Sequence, residues 1–209
     1  MNSLSIDSIW ERIEAFIAPQ GPTPEGWCYD LLLAGTVSLT KTKTLPVALP
    51  DAYNAYRNPS VLRHLTGPEY DAFAWGFYLN SAIHRVIWAM ERLLRIVASM
   101  DSGKLLLVRA AARKKCTSGT PALKAVLDQF NEAGIDLATT PVSGGNVLHI
   151  LYERVNRQKH WTTRSGDLPT RGNSRQPEPW GQTAGEKQYQ LVLEACALII
   201  ALYRETVKV

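Results

Sequence analysis

The chain has 209 residues, 45% of them apolar and 20% charged, a balance that excludes global disorder and is large enough for one good hydrophobic core. Its 23 Lys and Arg against 19 Asp and Glu leave a formal charge of +4, a modest basic excess that permits a nucleic-acid partner without demanding one. Cys28, Cys116 and Cys196 form no CxxC or CxxxH unit, which excludes zinc-ligand spacing and fits reduced thiols in a cytoplasmic protein.

Taken in order, Ser5 to Ala18 has the spacing of a short amphipathic helix, with Ile6, Ile9, Trp10 and Ile13 on one side and Asp7 or Ser8 as its cap. The acidic groups at Asp7, Glu11 and Glu14 are wrong for a secretory leader. A Pro/Gly loop follows to Gly26, and Trp27 to Gly35 reads as a helical turn or two. From Thr36 to Leu49 the pattern alternates, Val37 and Leu39 against Ser38 and Thr40, as a small hairpin or extended arm would. Asp51 to His64 is broken by Pro59.

Pro68 to Met100 is the longest helical stretch, about 45 Å if continuous. Phe73, Phe77, Ile83, Ile87, Met90, Leu94 and Val97 repeat at helical intervals. Lys104 to Cys116 is a second helix, apolar first and then basic through Arg109, Arg113, Lys114 and Lys115. Thr120 and Pro121 start a third, which Gly134 closes. Asn146 to His160 is a fourth. Thr162 to Gly185 is rich in Gly, Pro and Ser, carries Arg164, Arg171 and Arg175, and reads as a long exposed loop with Trp161 and Trp180 flanking it as stacking faces for bases. Glu186 to Lys208 is the last helix, with Val192, Cys196, Ile199 and Tyr203 inward. The expected fold is a single all-α helical bundle of residues 69–209. Its centre is the hairpin of Pro68–Met100 with its successor, and residues 1–68 form an N-terminal extension of uncertain structure. The longest apolar run, Ala195 to Tyr203, is too short to span a bilayer, so no membrane partner is expected.

The chemistry concentrates on Asn146–His160. His149, Glu153, Asn156 and His160 follow one another at steps of four, three and four on one polar stripe. His149 and His160 lie about 16 Å apart along a helix, too far to share one ion, and no metal centre is expected. His149, set among Leu148, Ile150 and Leu151, also fits a half-buried histidine with its polar atoms satisfied, and Glu153 with Arg157 an i,i+4 pair. No Walker loop, GxGxxG or GxSxG is present, so no nucleotide cofactor or hydrolase elbow is indicated. Metal-free acid-base chemistry on a phosphate remains. His160 sits at a helix C-terminus, where the dipole favours the imidazolium. Arg154, Arg157, Lys159 and Arg164 surround it, and arginine forks onto phosphate oxygens. RNA brings its own nucleophile, the 2′-hydroxyl.

Arg154-Val-Asn156-Arg-Gln-Lys-His160 resembles the R-x4-6-H motif of the HEPN superfamily, all-α domains of prokaryotic toxin and defence systems. The Asn-x-x-Lys-His ending and the apolar helix after a loop resemble those domains as well. The resemblance covers roughly residues 69–208. It implies a metal-independent endoribonuclease that needs no cofactor, acts as a homodimer and has RNA and an antitoxin-like protein as partners. Arg154 would hold the scissile phosphate, His160 would transfer a proton and Asn156 would orient them. Arg109, Arg113, Lys114, Arg157, Lys159 and Arg164 would contact nucleic acid. Val155 stands where the superfamily has a polar residue, which favours a catalytically silent binding or scaffold module as the alternative. On an unbroken helix positions 154 and 160 are about 120° apart, which leaves three choices: a loosened helix end, completion across a dimer, or Arg157 as the true partner. Arg57-Asn-Pro-Ser-Val-Leu-Arg-His64 fits the same pattern.

Overall fold

The computed structural model describes residues 4–15, 23–44, 68–100, 106–118, 123–135, 146–160 and 182–207. Among these residues there are seven helices and no strand: α1 (Ile6–Glu14), α2 (Pro24–Thr44), α3 (Pro68–Ser99), α4 (Leu106–Ser118), α5 (Leu123–Glu132), α6 (Val147–His160) and α7 (Gln182–Val207). The all-α expectation therefore holds. No helix in the described residues is long and apolar enough to cross a membrane. The stretch Asp51–His64, the Arg57/His64 pair, Thr120, Pro121, Trp161, Arg164, Arg171, Arg175 and Trp180 lie outside the described residues.

The chief departure from the sequence reading is α2. Alternating Val, Ser, Leu and Thr suggested an extended arm, yet Pro24–Thr44 is one helix of 21 residues. Its hydroxyls explain how. Thr36 donates to Leu32 O (2.9 Å), Ser38 to Ala34 O, Thr40 to Thr36 O and Thr42 to Ser38 O, each at 3.0 Å. Every one of these polar side chains folds back on the preceding turn, so Thr36, Ser38 and Thr42 are buried without needing a distant partner. Tertiary packing then outweighs the β preference of the threonines.

α2 packs along α3 more extensively than any other pair of helices, and α3 with its successor α4 is the next, so the expected pairing of Pro68–Met100 with its successor is joined by α2. α2 and α3 run antiparallel. The Cys28 thiol donates to Ala89 O (3.5 Å), and further along α2 Gly35 faces Ala82 and Val86, back along α3. A Cβ on Gly35 would stand 3.2 Å from Val86 Cγ2, so the absence of a side chain there lets the backbones approach. At the other end the Arg92 guanidinium lies 4.9 Å over the Trp27 ring.

α1 closes this pair from the side. Its cap is Ser5, whose Oγ accepts from Ser8 N at 3.1 Å, and not Asp7 or Ser8. Trp10 Nε1 donates to Thr40 Oγ1 (3.0 Å), and Arg204 of α7 donates to Arg12 O at the end of α1 (3.5 Å). Ile6, Ile9 and Ile13 of α1 and Cys28, Leu32 and Leu39 of α2 belong to the same buried cluster as Ile83 and Ile87 of α3 and Ile199 and Ile200 of α7. The described part of residues 1–68 is thus built into the core. Phe77, expected inward, is 54% exposed. It lies about 120° round the helix from the middle of the stripe of Ile83, Ile87, Met90, Leu94 and Val97.

α5 ends as expected at Gly134, whose φ of 82° suits glycine, with Ile135 N donating to Phe130 O. Much of α7 between Leu191 and Thr206 is buried, and Glu194 is half-buried among its neighbours. Burial raises the Glu194 carboxyl above its ordinary value, and its Oε2 is buried without a hydrogen-bond partner. A carboxyl raised by folding favours the protonated state, so the native protein is relatively destabilised as pH rises through the carboxyl range. Glu194→Gln should be at least as stable as wild type at pH 7. That advantage should close by about pH 4, where the carboxyl is largely protonated in either state. Urea midpoints at the two pH values check this. The thiols of Cys28 and Cys196 are pushed up to about 12 by burial, with Glu25 adding to the first and the neighbouring Thr36 hydroxyl opposing it in the second. All three cysteines are free, and Cys116 is the exposed one.

Candidate functional site

The site is read on α6, which packs against α3 and α7. Asn146 starts α6 as an N-cap, its Oδ1 accepting from Leu148 N (3.0 Å) and His149 N (3.3 Å). Val147, Leu148, Leu151 and Val155 are buried, which fixes the rotation of the helix against the bundle. His149 and Glu153 are half-buried on the flank away from those residues. The sequence reading treats His149 as a satisfied histidine, yet its Nδ1 is buried with no hydrogen-bond partner. No group of three or more His, Cys, Asp or Glu among the described residues could hold a metal ion.

α6 is continuous through His160, so the helix does not loosen within the motif. Positions 154 and 160 are therefore about 120° apart round the axis and about 9 Å apart along it, whereas 157 and 160 are about 60° apart. One chain alone does not bring the first pair to one face. The side chains of Arg154 and of residues 156–160 lie outside the described residues, so the roles assigned to Arg154, Asn156, Arg157, Lys159 and His160 rest on helical register. Val155 is 1% exposed. Val155 is thus a core position of α6.

The basic helix α4 packs on α3 and α5 and reaches α6 through a side-chain contact. Lys115 Nζ stands 5.2 Å over the ring of Tyr152, a cation–π contact that ties α4 to α6 one turn before Val155. Arg113 donates to Ala98 O at 3.3 Å, so its guanidinium also caps the C-terminal end of α3. Arg109 is half-buried and Lys114 exposed. Three of the expected nucleic-acid contacts, Arg109, Arg113 and Lys114, thus share one helix beside the motif helix, while Arg164 lies outside the described residues. Tyr152 was missed in the sequence. Its signal was a tyrosine two places before Arg154 on a helix that follows a basic one.

No family model matches the chain, and no curated protein or solved structure matches it.

Proposed function

We propose that the chain is a HEPN-like, metal-independent endoribonuclease that acts as a symmetric homodimer. The observation that carries this reading is a side-chain contact between Lys115 of the cationic α4 and Tyr152 of the helix that bears Arg154, Asn156 and His160. The basic groups attract the RNA backbone. The 2′-hydroxyl then gives its proton to water as its oxygen attacks the neighbouring phosphorus, Arg154 neutralises the phosphoryl oxygens, and the bond to the 5′-oxygen breaks as that oxygen takes a proton from the His160 imidazolium. The products are a 2′,3′-cyclic phosphate and a 5′-hydroxyl.

The rotation between positions 154 and 160 calls for Arg154 of one chain and the partner's His160. Mixing inactive Arg154→Ala and His160→Ala chains should then restore about a quarter of wild-type activity, because half the dimers are mixed and each holds one intact site of two. A mixture that stays inactive would place both groups in one chain. A monomer at all concentrations in light scattering would remove the dimer altogether.

Burial of Val155 favours a second reading, a catalytically silent module that binds RNA or a protein partner. Under it the same surfaces bind RNA and leave it intact.

A further inference from the structure

α4 lies on the outside of the bundle, with only Val108 and Ala112 buried. Leu106 and Leu107 are 61% and 64% exposed, more than any other large apolar side chain among the described residues. They share the outward face with Ala110, Arg113 and Lys114, all exposed. The helix contains Arg109, Arg113, Lys114 and Lys115 and no Asp or Glu. The outward face is therefore divided, with two leucines at its start and two cations one heptad later, about 10 Å further along the axis.

Three occupants compete for such a face. A nucleic-acid backbone satisfies the cations and leaves the leucines in water. A lipid surface takes apolar side chains in a row along a helix, with cations on its flanks. Here the leucines are about 100° apart at one end, and the cations occupy the other end of the same face. A helix from another protein that presents apolar side chains and then carboxylates one heptad on satisfies both halves together. Arg113 keeps one of its donors on Ala98 O, and its remaining N–H groups can still fork onto a carboxylate.

We propose that the outward face of α4 docks an acidic amphipathic helix of a second protein, with apolar side chains on Leu106 and Leu107 and carboxylates on Arg113 and Lys114. This does not require the ribonuclease reading: Arg113 and Lys114 are shared with it, and the leucines carry no part of it.

The probe is a labelled helical peptide of Leu and Glu at heptad spacing, titrated with the full chain by fluorescence anisotropy. Parallel titrations use the peptide with Gln for Glu, the peptide with Ser for Leu, oligouridylate, and phosphatidylserine vesicles. The Leu/Glu peptide should bind saturably. Either peptide change, the double variant Leu106→Ser/Leu107→Ser, or Lys114→Glu should weaken it about tenfold or more. The double leucine variant should keep its thermal midpoint and its oligouridylate binding. No saturable peptide binding below about 100 µM would overturn the proposal. So would peptide binding that survives the leucine changes, or leucine changes that abolish vesicle binding (a lipid surface) or dissociate a dimer (a second copy of this chain).

Discussion

His160→Ala should lower RNA cleavage by about 10²–10⁴-fold, the range that a general acid-base group contributes. Arg154→Ala should cause a loss of similar order, by removing the fork that neutralises the phosphoryl oxygens. Both changes fall near the end of α6, beyond the buried Leu151. Neither should reduce stability by more than about 1 kcal/mol. The comparison with Arg157→Ala decides which arginine acts. Position 157 is nearer to 160 in rotation, so full activity in Arg157→Ala with none in Arg154→Ala supports the pair completed across a dimer, and the reverse assigns the role to Arg157. His64→Ala should cleave normally. Initial rates on one labelled RNA, with each variant's thermal midpoint, read all four.

Ile9→Ala and Leu32→Ala should each cost about 2–5 kcal/mol, as large-to-small changes at closed core sites do. Both side chains are fully buried. Ile9 lies on α1 and Leu32 on α2, and both belong to the cluster that α3 and α7 complete. Against a total stability of about 5–15 kcal/mol, either change removes a large share. Urea denaturation should show one transition shifted as a whole. A separate early transition, or a shift below about 1 kcal/mol, would mean that the first 44 residues are an appendage to the bundle.

The sequence was most legible where one face alone is apolar. α1, α3, α5 and α6 have helical spacing that sidedness made plain, and Gly134 and Asn146 mark ends because only special backbone or capping chemistry suits those places. The last helix begins at Gln182, four residues ahead of the expected Glu186. α2 was misread for a definite reason. A hydroxyl that bonds to its own helix is invisible in a pattern of polar and apolar letters, so Ser38, set opposite Val37 and Leu39 in the alternating pattern, is buried on a helix while Val37 is exposed. The site was legible in part. Helical register places Arg154 and His160 on different faces, and the continuous α6 keeps them there. The contact of Lys115 with Tyr152 joins residues far apart in the chain, and no local pattern encodes it. Leu106 and Leu107 begin a helix whose inward side is filled by Val108 and Ala112, and only the packed bundle reveals that they remain outside.

The most direct test of the functional reading is incubation of the wild-type chain with a panel of 5′-labelled RNAs in excess EDTA. The account predicts cleavage that persists without metal and leaves a 2′,3′-cyclic phosphate, because the internal 2′-hydroxyl is the nucleophile. RNAs bound by the protein yet left intact, or cleavage that EDTA abolishes, would contradict it.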